Sequence, residues 1–423
     1  MLRSMFAAVT GLRSHQAFMD VVGNNIANVN TTGFKSSNVV FQDVLSQVLR
    51  GAGAATATTG GSNPAQIGLG ARIAGTTTNF ANGALQLTGR STDFAIQGDG
   101  FFAVNQGGQQ LFTRAGSFTP DALGRLVTQT GGFVQGWVAD ANGNVNTNAN
   151  VDNLVIPVGD VLPPTQTDEI LMGGNLPSDA AVGTTIANSI DVYDAQGNPT
   201  TVRLEFTKTA ADAWTGVYRF VDAAGVLQPT PPAAGSAMTG GSLTFDAAGE
   251  LTSGYTLTIA GGAIPGFAAG QDISVNLGGA GEPNRLSQFG TLSTMAVKDQ
   301  NGAAAGSLQS FTVGQDGLIT GSYSNGRNRS IGQIALASFT NPEGLEKAGG
   351  SNYRASINSG LAQLGVAGQG GRGLLSSGTL EMSNVDLAAE FTNLIVAQRG
   401  FQANSRVVTT SDELLQEVVN LKR

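Results

Sequence analysis

Two stretches at opposite ends of this chain repeat their apolar residues at intervals of three, four and seven. That pattern constrains the fold more than any other feature. Near the start, Met5, Val9, Leu12, Met19 and Ile26 fall on one heptad stripe, with Gln16 and Gly23 at the remaining stripe positions and Val22 and Val29 on its flank. Near the end, Leu387, Phe391, Leu394, Phe401, Val408, Leu415 and Val419 follow the same rule, and Gln398, Ser405 and Asp412 take the polar gaps. A narrow stripe of this kind predicts a helix that offers a seam to another helix. Ser383 or Asn384 is placed to cap the second helix, Asp386 and Glu390 to meet the positive end of its dipole, and Lys422 and Arg423 the negative end.

The residues between the stripes read as β-structure. Strand-like alternation appears in 189–209, with Val202, Leu204 and Phe206 on one face, and 307–323 reads as a hairpin. Asp-x-x-Gly recurs at Asp121–Gly124, Asp140–Gly143, Asp194–Gly197, Asp222–Gly225, Asp246–Gly249 and Asp299–Gly302. Aspartate at the first position of a type I turn accepts a local N–H, and glycine at the fourth supplies positive φ. The 60 glycines and the 6% aromatic content fit strands joined by tight turns. The Gly/Ala/Thr-rich stretch 51–70 and the Gly/Gln/Ser-rich stretch 360–378 read as linkers, which would leave the terminal helices with little of their own chain to bury against.

A chain of 423 residues holds more than one domain. Composition divides it into a helix plus linker at 1–70, a discontinuous β domain from 71–145 and 285–359, an inserted β domain at 146–284, and a linker plus helix at 360–423. The expected fold class is therefore mainly β, nested and discontinuous, with long helices at both termini forming a coiled-coil-like pair. Nesting brings the two ends of the chain together.

Several kinds of chemistry find no support. With no cysteine, disulfides, thiolate metal sites and cysteine nucleophiles are absent. The single histidine, His15, sits among polar residues of the first helix and reads as a solvated or interface residue. The net charge of −8 disfavours nucleic acid as a partner. Each Asp-x-x-Gly turn carries one carboxylate where a calcium loop wants several. The glycine-rich stretches lack the lysine of a phosphate-binding loop. The acidic pairs Asp168/Glu169 and Asp412/Glu413 have no partner that sequence can name, and "GRNRS" (326–330) reads as a solvated hairpin tip. No catalytic, cofactor-binding or metal-ligating residues are expected, and the chain is not expected to be an enzyme. No apolar run approaches the ~20 residues that cross a bilayer. The start lacks the apolar core and small-residue cleavage site of a secretory signal, so an exported protein of this kind would leave without cleavage.

One stretch remains: "NNIANVNTTGFK" (24–35), where a helix ends in amides instead of charges. Asn24, Asn25, Asn28 and Asn30 admit two readings. They suit close packing of many copies without like-charge repulsion, and they suit a helix stop before the turn at Thr31, Thr32 and Gly33. The longer block "GNNIANVNTTGFKSSNVVFQDVL" (23–45) resembles the N-terminal signature of the bacterial flagellar rod and hook proteins. "DFAIQGDGFFAV" (93–104), preceded by "LTGRST" (87–92), is similar to a block shared by the longer members of that family. Residues 383–423, beginning "SNVDLAAEFTNLIVAQRGFQANSRV", are similar to its C-terminal block along almost their whole length. Length and the large insertion are most like the hook members.

The resemblance implies a self-assembling tubular joint that transmits motor torque. The helices would form its inner tube, the discontinuous β domain a middle layer and the insertion an outer layer. The implied interface residues are Met5, Val9, Leu12, Met19, Ile26, Asn24, Asn25 and Asn28, with Leu387, Phe391, Leu394, Phe401, Val408, Leu415 and Val419. It further implies an extracellular place in the flagellum and export through the type III apparatus. The implied neighbours are the distal rod, the hook cap, the hook–filament junction proteins and a length-control protein. A distal rod subunit with an inserted domain, or a secreted β-rich adhesin, are the alternative readings.

Overall fold

The computed structural model describes residues 2–55, 59–159, 161–222, 225–228, 237–279 and 285–420. Lys422 and Arg423, expected at the end of the last helix, lie outside them. The architecture is mostly β with a helix at each end: α1 spans Leu2–Ala27 and α2 spans Leu387–Asn420. Contacts divide the chain into two units, one of residues 1–158, 311–321 and 330–423, the other of 159–310 and 322–329.

The helix-bearing unit is built around a hairpin, Phe101–Gln106 with Gln109–Thr113. Its two-residue loop is Gly107-Gly108, and both glycines have positive φ (+61° and +82°). That is the mirror-image turn whose twist matches the strands it joins. Phe133–Val138, Leu336–Ser338 and Asn352–Arg354 pair around this hairpin. Phe101, Phe112, Phe339 and Tyr353 pack as a cluster, with the Phe112 and Phe339 rings edge to face at 4.8 Å. The two stretches expected as linkers each contain short strands. Ala65–Gly68 pairs with Ser46–Arg50, Gln363–Gly365 with Leu336–Ser338, and Leu374–Ser377 with Phe94–Gln97. Composition could not separate the two cases, because short strands between tight turns use the same small residues as a flexible tether.

The second unit is built on a sheet in which Thr185–Tyr193, Pro199–Ala210 and Ala213–Val221 run as an antiparallel meander at one edge. Val202, Leu204 and Phe206 are fully buried, as their alternation predicts, and they pack with Trp214, Leu243 and Ile273. Glu169–Pro177 pairs parallel with both Ile273–Asn276 and Leu286–Phe289, and antiparallel with Ala296–Gln300. This pairing is why the unit continues to residue 310 while the composition shift ends near 284.

Five of the six Asp-x-x-Gly segments named above are the turns they resemble. At Asp194, the Gly197 N–H donates to the Asp194 carbonyl at 3.0 Å, and the N–H groups of Gln196 and Asn198 donate to its carboxylate at 2.9 and 2.8 Å. Asp121, Asp140, Asp222 and Asp246 repeat the closure onto a glycine of positive φ. Asp299 departs: it lies inside the strand Ala296–Gln300, and the Gly302 N–H donates to the Gln300 side chain instead.

Candidate assembly surface

The two helices meet antiparallel through small and polar residues. Near the C-terminal end of α1, Asn25 Nδ2 donates to Glu390 Oε1 at 2.8 Å, close to the start of α2. Further along, a Cβ on Gly400 would lie within 2.6 Å of His15 Nε2, and one on Gly11 within 2.8 Å of Asn404 Nδ2. Glycine at both places lets the backbones approach this closely. Ala397 is the most buried residue of α2, while Ala8, Ser14, Val22 and Asn25 are the buried residues of α1. His15, read from sequence as solvated or interfacial, is half-buried in this seam, with its ring 5.9 Å from that of Phe41. Phe18 stands edge to face on the same ring at 5.7 Å. Helix α1 thus rests on the strand pair Ser37–Asp43 and Ala71–Thr78 as well as on α2.

The apolar stripes read from sequence lie beside this contact line. Met5, Val9, Leu12, Met19, Ile26, Leu394, Val408 and Leu415 are half-buried. Leu387, Phe391, Phe401 and Val419 are exposed, Phe391 at 51% and Val419 at 69%. Ile395, Val396, Leu414 and Val418 extend the exposed apolar surface of α2, and Phe6 adds to that of α1. A second exposed apolar patch covers the hairpin of Ser46–Arg50 and Ala65–Gly68, through Leu45, Val48, Leu49, Ile67 and Leu69. An isolated two-stranded hairpin is marginal in water.

The asparagines divide by role. Asn24 is exposed. Asn28 ends the helix, its Nδ2 donating to the Asn24 carbonyl at 2.9 Å and its Oδ1 accepting from Thr31 Oγ1 at 3.1 Å. Asn25, expected at the interface, is 1% exposed, and its amide is used within the chain. Besides Glu390, Asn25 Nδ2 donates to the Ser37 carbonyl at 2.9 Å, and its Oδ1 accepts from the Ser37 N–H at 3.0 Å. The amide matches a β-strand backbone and a helix carboxylate at once. The cap of α2 is Asp386, whose carboxylate accepts from the Ala388 and Ala389 N–H groups. Asn384 instead accepts from the Ser36 N–H at 2.9 Å and donates to the Asn79 carbonyl at 2.8 Å.

Sequence reasoning missed the charged cluster beneath the helices. Lys35 Nζ lies 2.6 Å from Glu381 Oε1, and Arg114 NH1 lies 3.4 Å from Glu381 Oε2, with all three side chains at most 1% exposed. Lys35 Nζ also donates to the Ala81 carbonyl at 2.7 Å, and Arg114 NH2 to the Gly98 carbonyl at 2.8 Å. Burial pushes the Lys35 ammonium below its usual pKa, against the hydrogen bond and charge of Glu381; nearby Arg114 pushes the same way. Burial likewise lowers Arg114, opposed by Glu381 and Asp99. The signal was present in the quoted blocks, since Lys35 closes "TTGFK". Its carboxylate partner, however, lies 346 residues away.

The other charged candidates are structural. Asp412 accepts from Gln416 one turn on, and Glu169 accepts from Asn276 Nδ2 at 3.3 Å. Arg327 of "GRNRS" donates to Thr165 Oγ1 and the Asn301 carbonyl, so it holds backbone and is not a free tip. Among the described residues, no His/Asp/Glu group could hold a metal ion, and no helix is long and apolar enough to cross a membrane.

Comparison with known proteins covers the whole chain. Residues 5–35 match the family described as flagella basal body rod protein, and 95–163 the flagellar hook protein FlgE/F/G D1 domain. Residues 164–303 match the flagellar basal body protein FlaE D2 domain, and 376–421 the flagellar basal body rod FlgEFG protein C-terminal region. The flagellar hook protein FlgE of Treponema pallidum is 40% identical over 464 residues, and that of Borreliella burgdorferi 38% over 453, each covering all of both chains. The crystal structure of Helicobacter pylori flagellar hook protein FlgE2 shares the fold, with a TM-score of 0.56 over 70% of this chain and all of that one, at 15% identity.

Proposed function

We propose, from the premise that this chain belongs to the flagellar hook protein family, that its copies polymerise through the terminal helices into a flexible tube joining motor to filament. The chain is a structural subunit of the flagellar hook. The observation that supports the polymer is the outer surface of α2, where Phe391, Ile395, Val418 and Val419 stand in water beside a contact line that already satisfies the helix pair. A large apolar side chain gains about 1.5–3 kcal/mol on full burial, and neighbouring copies supply that burial. Low charge allows close approach, since 12% charged residues is about half the usual ~25%. The Asn25–Ser37 and Lys35–Glu381 joins hold the helix bases to the β-structure, so a twist applied at the helices reaches the strands.

In this reading the helices line the inner tube, the discontinuous β domain of 71–145 and 285–359 forms a middle layer, and the insertion 146–284 forms an outer layer of the polymer with weak, interchangeable contacts that allow bending. Export through the type III apparatus places the subunit outside the cell. Its neighbours are the distal rod, the hook cap, the junction proteins and the length-control protein. The purified chain is expected to form tubes in electron micrographs. Removing residues 1–30 is expected to leave a soluble β-rich monomer, and tubes from that truncated chain would overturn the role given to the helices.

A further inference from the structure

We propose that Lys35, Arg114 and Glu381 form a latch that keeps the helix-bearing unit open until its C-terminal segment arrives. Lys35 and Arg114 are both enclosed, and the contacts they make apart from Glu381 include the neutral carbonyls of Ala81 and Gly98. Asp99, which acts on Arg114 through space, is exposed. Among the described residues, the one carboxylate in contact with both cations follows Lys35 by 346 residues and Arg114 by 267. Until Glu381 is in place, closing the unit would enclose two like charges without their counterion, which is strongly unfavourable.

The same short segment makes the remaining joins. Leu374–Ser377 pairs with Phe94–Gln97, and Thr379–Glu381 pairs with Leu85–Leu87. The Gly33 N–H donates to the Glu381 carbonyl at 2.8 Å, and the Gly83 N–H to its Oε1 at 2.9 Å. Strand pairing and charge neutralisation therefore arrive together, near the end of the chain. A subunit that must travel before it packs is kept from closing early. That purpose rests on the proposed function, whereas the latch rests on the buried geometry alone.

Pulsed hydrogen exchange during refolding of the full-length chain, dilute and unassembled, tests it. Amides of Phe101–Thr113 are expected to gain protection in the same phase as those of Leu374–Glu381. In the triple substitution Lys35→Met, Arg114→Met and Glu381→Leu, the hairpin is expected to become protected at least tenfold faster than the C-terminal segment. Protection of Phe101–Thr113 in the unsubstituted chain well before Leu374–Glu381 would overturn the latch, and that comparison decides even if the triple variant does not fold. Because the readout precedes assembly, a chain that refolds in the expected order but forms no tubes counts against the polymer reading only.

Discussion

At the scale of single residues, the helix seam shows how one amino acid type can serve opposite ends. Gly23 on α1 has open space where a Cβ would sit, whereas Gly400 on α2 faces the His15 ring. Replacing Gly23 by Ala is expected to stabilise the chain by about 1 kcal/mol through helix propensity. Gly400→Ala carries the same propensity gain but drives a methyl into His15, so its net effect is expected to be destabilising. Thermal midpoints of the two variants should move in opposite directions. Asn25 gives a third case. Asn25→Ala leaves the Ser37 N–H and carbonyl without their partner and is expected to cost about 1–3 kcal/mol in urea unfolding. Asn25→Asp should cost more, because it sets a second carboxylate against Glu390. Gly33 is the position where glycine is required: φ is +66°, and a Cβ would meet the Ala115 nitrogen at 2.4 Å.

The turns and helices carry their own predictions. The Asp194 carboxyl sits below its ordinary pKa: burial works to raise it, but is outweighed by hydrogen bonds from the Asn198 side chain and from the Asn198, Gln196 and Gly197 N–H groups. A carboxyl lowered on folding contributes stability above its unfolded pKa, and that contribution is lost as pH falls through the folded value. Stability of the second unit should therefore decline below about pH 4, the usual carboxylate range. Asp194→Asn should flatten that decline, measured as urea midpoints across pH 2–6. For the helices, the anchors lie at one end of the pair, at Asn25–Glu390 and in the strands below. In a dilute sample, hydrogen exchange should be slowest near those residues and fastest toward Leu2 and Asn420. Uniform protection along both helices would show that the pair is stable alone and would weaken the case for ordering by neighbours.

For the whole molecule, two units with separate apolar clusters should unfold separately. Calorimetry is expected to show two transitions, with Glu381→Gln lowering only the one that belongs to the helix-bearing unit. Much of this plan is legible in the sequence. The stripes locate both helices, because a spacing of three and four has no use in a strand. Asp-x-x-Gly locates five turns, because the carboxylate and the positive φ are local needs met by local residues. The sixth is misread at Asp299 because strand pairing with Glu169–Pro177 overrides the local preference. By itself, then, the sequence determined the two helices and the five tight turns, since helix periodicity and turn chemistry act within a few residues. Only the tertiary structure decided what meets what: that Gly11, His15 and Gly400 form the helix contact beside the apolar stripe, that Asn25 is internal, and that Lys35 and Arg114 share a carboxylate from the far end of the chain. Such partners are chosen by burial across hundreds of residues, where a charge or an amide is tolerated only if its counterpart folds onto it.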